Sequence, residues 1–271
     1  MKRCLIILIP ILIFGCEDAI MVTVPETESK LVIEGSVTNQ LHTQVVKISM
    51  ASAFNSPSRT PKVSNATVSV IDNTGTIETY IETPEPGIYH SELPYEGLIG
   101  VAYKLQISVG GQSYESDFQV MKTVPPIDFL SFEEDNSSRL ESFIVSVNVT
   151  DSDNEGDFYR WKVFKNGLEL GTLADIFLRS DRLFNANKFD VRLDTFSFLQ
   201  GDTCSVVQMS LTESAFEFFR LIQIQAGGLG ESTSPPATQV IGNIRNINRQ
   251  DEEILGFFYA TGMVEESIVI Q

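Results

Sequence analysis

Two stretches of this chain have residue types and spacing that can do chemistry. The first is Leu12-Ile13-Phe14-Gly15-Cys16, where an apolar run delivers a thiol directly after a residue with almost no side chain. Such a thiol can carry a covalent lipid, and the small residue before it suits a cleavage point. Lys2 and Arg3 form a basic start, and positions 5–14 are apolar, broken only by Pro10. That run is shorter than the ~20 apolar residues a spanning helix needs, and its order of basic, apolar and small residues marks an export signal. Residues 1–15 are therefore read as the signal, and Cys16 as the lipidated start of the mature chain. Cys4 lies too close to the N-terminus to be the acceptor. One acyl chain holds a membrane marginally, whereas two or more anchor it stably.

The second stretch is Asp151-Ser152-Asp153-Asn154-Glu155-Gly156-Asp157. Asp151, Asp153, Glu155 and Asp157 are closely spaced carboxylates beside a turn glycine, which suits Ca²⁺ and its demand for oxygen ligands. The helix–loop–helix calcium loop needs a bidentate Glu at its twelfth position, and here that position is Lys162. The competing reading is a hairpin turn of solvated acids.

Other constellations offer less. His42 and His90 are the only histidines, and neither sits in His-Glu-x-x-His or beside a Gly-x-Ser-x-Gly turn. Both read as polar residues on sheet edges. No nucleophile–base pair is visible, so the chain is read as a non-enzyme. Gly227-Gly228-Leu229-Gly230 lacks the Lys-Ser/Thr of a phosphate loop and reads as a helix cap. Phe158, Tyr159, Trp161 and Phe164 read as core or, alternatively, as a sugar-binding face.

Nineteen basic and 36 acidic residues give a net charge of −17, and loss of Lys2 and Arg3 takes the mature chain to −19. Such a surface repels nucleic acid and anionic headgroups, so no nucleic acid partner is expected. Once Cys16 is lipidated and Cys4 removed, Cys204 stands alone, and stability must come from apolar burial.

The elements that carry these residues are mainly strands. After a polar tether at 16–30, alternating runs appear at 31–37, 45–50, 66–70 and 77–82. Val101 through Val109 alternates without a break and meets Gly110-Gly111, a two-residue turn that tolerates positive φ at both positions. The 112–120 run pairs back. Short strands at this spacing predict an immunoglobulin-like β-sandwich over 31–124. Val124-Pro125-Pro126 then removes backbone donors and marks a boundary. A second β-rich domain is predicted over 128–271, with strands at 143–149 and 158–164 and a turn at Asn166-Gly167. Runs 191–198 and 204–211 read as a hairpin, and 254–260 and 267–270 as closing strands. One helix is predicted near 214–226, with Ala215, Phe218, Phe219 and Ile222 on one face. Ser214 with Glu217 fits a capping box.

Segment 232–248 holds Pro235-Pro236 and Gly242-Asn243-Ile244. Its stiff prolines and permissive Gly-Asn pair suit a clasp or a contact loop. Val240, Ile241 and Ile244 are expected to pack on the second domain. Pro235, Pro236, Asn243, Arg245 and Arg249 are the candidate partner-binding residues, with 175–187 as the fallback surface.

Several short runs recur in an order that resembles a known family. They include Leu31-Val32-Ile33-Glu34-Gly35, Asn65-Ala66-Thr67-Val68, Pro86-Gly87-Ile88-Tyr89 and Gly111-Gln112-Ser113-Tyr114. Phe158-Tyr159-Arg160, Ser180-Asp181-Arg182-Leu183-Phe184, Ala215-Phe216-Glu217-Phe218-Phe219, Pro235-Pro236-Ala237 and Leu255-Gly256-Phe257-Phe258 continue the series. Together they resemble the Bacteroidota outer-membrane lipoproteins grouped as domain of unknown function 4249. The lipid site also resembles the bacterial pattern, with Ile13 and Phe14 as departures from it. The first half looks like transthyretin-like and carboxypeptidase-regulatory-like sandwiches. The resemblance implies a lipid-anchored protein on the periplasmic or cell-surface face, commonly encoded beside a TonB-dependent receptor. It implies no cofactor beyond the lipid. Glu17-Asp18 resembles a surface-export signal in such bacteria. The expected function is a non-catalytic binding accessory to that receptor in nutrient uptake, or alternatively a free-standing glycan- or Ca²⁺-binding module.

Overall fold

The computed structural model describes residues 29–51, 60–136, 141–183, 185–228 and 240–271. Cys16, Pro235 and Pro236 lie outside the described residues. Among the described residues no helix is long and apolar enough to cross a membrane.

The alternating runs form strands as their period requires. The first body contains β1 (Leu31–Thr38), β2 (Val45–Met50), β3 (Thr67–Asp72), β4 (Ile77–Glu82) and β5 (Ile88–Ser91). It continues through β6 (Ala102–Val109), β7 (Gln112–Ser116) and β8 (Gln119–Val120). The 112–120 run is thus two strands rather than one. Gly110 and Gly111 take φ of 59° and 75°, which the tight β6–β7 turn demands and which L side chains resist. Inward residues of every long strand meet in one core, among them Ile33, Val46, Ile48, Val68, Tyr89 and Leu105.

The second body holds β9 (Ile127–Glu134), β10 (Phe143–Thr150), β11 (Phe158–Lys165), β12 (Leu168–Glu169), β13 (Phe177–Ser180) and a 3-10 turn (Asp181–Leu183). Then follow β14 (Lys188–Arg192), β15 (Thr203–Leu211), α1 (Glu213–Gly228), β16 (Ile244–Asn246), β17 (Leu255–Thr261) and β18 (Met263–Val269). A three-stranded sheet in the order β14-β10-β9 faces a sheet in the order β12-β11-β15-β18, with β13 also on β11. Val145, Val147 and Val191 of the first meet Tyr159, Trp161 and Val206 of the second. The fold is mainly β and sandwich-like, as the periodicity predicted.

Four expectations need correction. The boundary at 125–126 is crossed, because β16 and β17 leave the second half and join the first sheet, in the order β16-β7-β6-β3-β4-β5-β2-β1-β17. β17 runs parallel to β1, with Ile33 opposite Gly256. A parallel partner can lie any distance along the chain, so no local turn announces it. At Gly256 (φ 94°) an added Cβ would stand 2.0 Å from the Ile33 carbonyl oxygen, so glycine alone allows this approach. Runs 191–198 and 204–211 form no hairpin. β14 pairs with β10 and β15 pairs with β11 and β18, because the burial of both β15 faces favours a central position. The last strand begins at Met263, four residues before the predicted start.

The helix is capped two residues earlier than Ser214. Its N-cap is Thr212, whose Oγ1 accepts from the Ala215 amide at 3.3 Å while its carbonyl accepts from Phe216 at 2.9 Å. Glu217 turns to Arg220 instead of reaching back to the cap. The apolar face is as predicted. Ala215, Phe218 and Phe219 are buried, Ile222 is partly so, and Phe218 packs on Phe257 of β17 with ring centroids 4.7 Å apart. One helix therefore touches both bodies.

Candidate functional site

The acidic turn does not gather its four carboxylates. Asp153 and Glu155 are exposed, while Asp151 and Asp157 turn inward and are buried. The Tyr159 hydroxyl donates to Asp151 Oδ1 at 2.6 Å and lies 3.3 Å from Asp157 Oδ2. With one proton to give, it serves the nearer oxygen. Ser152 Oγ satisfies Asp157 Oδ2 at 2.7 Å, and Lys122 Nζ stands 3.8 Å from Oδ1. Sequence reading missed Asp181, which is 2% exposed and accepts from the Gly156 and Asp157 amides at 2.7 and 3.0 Å. Desolvation raises the Asp151 carboxyl above its ordinary value, and the nearby Asp157 and Asp181 charges add to this. Burial also pushes the Tyr159 phenol upward, which keeps it a donor. Two of the acids are thus neither solvated nor grouped with the other two. They tie the turn to β11, the 3-10 turn and Lys122. Among the described residues no group of three or more His, Cys, Asp or Glu is arranged to hold a metal ion.

The 240–249 segment serves as a clasp on the first body, not the second. Ile244 enters the first core, and β16 pairs with β7 through Arg245–Glu115. Only Val240 reaches the helix cluster, and Ile241 is 73% exposed. Asn243 is buried and bridges β17, donating to the Phe258 carbonyl at 2.7 Å and accepting from its amide at 2.9 Å. Arg245 pairs with Asp117, and Arg249 with Glu252 at 2.6 Å. Both arginines already have partners within the chain.

The aromatic strand is core rather than a sugar platform. Tyr159 and Trp161 are fully buried, and the Trp161 indole donates to Gln208 at 2.9 Å. His90 lies on β5 between β2 and β4, so it is not an edge residue. His42 is exposed and bonds Thr38 Oγ1 and the Thr43 carbonyl, both at 2.8 Å.

Two features were not legible in the sequence. The first is an apolar tip where the loop after β1 meets the loop after β5. Buried Gln44 ties them together, its amide nitrogen donating to the Tyr95 carbonyl at 2.9 Å and lying 3.3 Å from the Thr38 and Gln40 carbonyls. Tyr95 also bonds the His42 carbonyl at 3.2 Å. On this frame Leu41 and Leu93 are 71% and 69% exposed. The second is a groove of about 270 Å³ at the open edge of β11, under the loop between β12 and β13. Arg160 lines it, with its guanidinium 4.2 Å from the centre of the Phe219 ring.

Two β-rich bodies stitched by a shared C-terminal run define a mainly β, sandwich-like protein. The chain belongs to the family described as Domain of unknown function (DUF4249), whose model matches residues 17–267. No curated protein matches it. Among solved structures it is similar to the native conformation of Escherichia coli alpha-2-macroglobulin, at 14% identity and a TM-score of 0.26, covering 71% of this chain and 14% of that one. It is also similar to a two-domain fibronectin type III segment of chicken tenascin (12% identity, TM-score 0.21, 68% of this chain and 92% of that one). A third is the Yersinia pseudotuberculosis adhesin InvE (15% identity, TM-score 0.22, 68% and 55%). The chain thus spans a small part of the first and about half of the third. Likeness at this level carries no argument about function.

Proposed function

We propose that this chain is a lipid-anchored, non-catalytic binding accessory of the outer membrane that docks on a TonB-dependent receptor. The anchor in this reading is Cys16, and the acidic Glu17-Asp18 start favours the cell-surface face. The family match beginning at residue 17, directly after that cysteine, is in keeping with it. A mature body with a net charge of −19 is repelled by anionic headgroups, so the lipid would be its membrane contact.

The observation that carries the reading is the apolar tip. Exposed large apolar side chains grouped on a locked frame are costly to leave in water and mark contact surfaces. β1 starts next to the tether at Leu31 and ends at Thr38, beside the tip. The tip therefore sits roughly 25 Å from the tether, at ~3.3 Å per strand residue. The exposed leucines thus lie at the far end of β1 from Leu31, beside the seam where Asn39 and Gln40 bond Met263 of the second body, and in this reading the partner docks there.

The test is co-purification from mild detergent. Wild type brings down a β-barrel of receptor size, and the double variant Leu41→Asp, Leu93→Asp loses it with unchanged melting. Equal recovery by both proteins, or a wild type without a barrel partner, overturns the reading.

A further inference from the structure

We propose that the groove beside Arg160 binds a small organic carboxylate carrying an apolar group. The argument begins with the cations. Ten Lys and Arg side chains of the described residues are held in ion pairs. Lys47, Lys62, Arg179 and Lys188 are unpaired but exposed, where water solvates them. Arg160 alone among the described residues is unpaired and partly buried. Its Nε is buried with no hydrogen-bond acceptor. A guanidinium cannot shed its proton to escape this, and buried donors nearly always find a partner. The Phe219 ring sets the guanidinium plane but offers no lone pair. Among the described residues no anion meets the guanidinium, and Arg160 lines the groove, so a negative group bound there would supply one to its outer nitrogens.

The other charged groups lining the groove leave that place open. Glu169 is taken by Lys162 at 3.0 Å. Asp175 Oδ2 turns to the Thr172 amide and hydroxyl, both at 2.8 Å, and does not reach Arg160. Lys162 and Glu169 hold each other, Asp175 is held by Thr172, and Arg160 alone has no anion against it. A carboxylate matches the two-pronged guanidinium fork and brings one negative charge near Asp175, where a phosphate dianion would bring two. The wall beyond is apolar, formed by Ile176, Phe177 and Phe196. The Gln223 side chain of α1 holds that wall through the Ile176 carbonyl. At about 270 Å³ the space is small, just under the ~300–1,000 Å³ of pockets for drug-sized ligands. The groove also exists for a reason of topology. β13 covers β11 as far as Trp161 and β12 begins at Phe164, so the edge between them is unpaired by a strand.

This site needs no receptor, so it stands or falls apart from the docking reading above. The test uses the purified mature chain alone, with ligand-observed NMR and calorimetry. The probes are 3-methylbutanoate and phenylacetate, each beside its neutral amide. The expected result is that at least one acid binds at least tenfold more tightly than its amide. Arg160→Gln should then lose at least tenfold, while Arg160→Lys keeps part of the binding because it keeps the charge without the fork. The acid–amide comparison on wild type remains decisive if a variant misfolds. Equal binding of acid and amide, no binding of either acid, or undiminished binding by folded Arg160→Gln overturns the proposal.

Discussion

Ser210 and Gly262 hold each other across the seam between the two bodies. The Ser210 amide donates to the Gly262 carbonyl at 3.0 Å, and the Gly262 amide donates back to Ser210 Oγ at 3.1 Å. The same Oγ donates to the Lys122 carbonyl at 2.8 Å. Gly262 is the one residue between β17, which belongs to the first sheet, and β18, which belongs to the second. Three chain segments thus meet at a point with no room for a side chain.

The first prediction follows from that crowding. A Cβ at Gly262 would stand 2.6 Å from the Lys122 carbonyl oxygen. Backbone must move to admit it, so Gly262→Ala is expected to destabilise by about 1–3 kcal/mol. Ser210→Ala removes a buried donor and acceptor together and costs about 1–3 kcal/mol. Because the two share one network, urea denaturation of the double variant should show less than the sum.

Phe218→Ala should cost about 3–5 kcal/mol, the range for deleting a buried ring. Phe218 packs on Phe257, so this loss loosens the contact between helix and first sheet. Chemical denaturation measures it. A loss under ~1 kcal/mol would mean the cluster around α1 does not hold the two bodies together.

Asp202 gives a prediction about acid. Its carboxylate accepts from Lys165 at 2.7 Å and from Asn166 and the Leu199 amide at 2.8 Å each. The Lys165 bond leads in lowering its pKa to about 2. A depressed carboxyl stabilises the fold above its unfolded pKa of ~4, and that contribution fades as pH falls toward the folded value. Asp202→Asn should therefore melt lower at pH 7, by about 0.5–1 kcal/mol for a partly screened pair. Thermal melts of both proteins should converge on acidification below pH ~4.

Cys204 is fully buried, and desolvation pushes its thiol up to about 12. Thiolate is the reactive form. Native mature protein at neutral pH should resist alkylation and label promptly in denaturant. Mass spectrometry distinguishes these states, and rapid native labelling would contradict the burial.

Cys16→Ala should leave the protein as an uncleaved precursor or release it from membranes. Membrane fractionation with intact mass measurement checks this. An unlipidated Cys16 in the mature wild type would end the anchoring reading.

Strand identity was readable because it depends on near neighbours. The alternation of Val101 through Val109 predicted β6, and the Gly110-Gly111 and Asn166-Gly167 turns appear where their positive φ was expected. The same holds for the helix, whose Ala215-Phe218-Phe219 face is set by a period within one segment. Its cap at Thr212 was missed because several polar residues in a row can all offer an oxygen, and only the chain direction selects one.

The sequence by itself determined most of the long alternating strands, the helix face, the tight turns and the sign of the surface charge. All of these are fixed by side-chain type and short-range spacing. Tertiary structure decided which strands are neighbours, and so placed β17 beside β1 rather than in the second half. It also turned Asp151 and Asp157 inward, occupied Arg245 and Arg249, and left Arg160 without a partner. Those outcomes depend on pairings between residues far apart in the chain. No local pattern encodes them, because a buried charge is defined by what the rest of the fold brings to it.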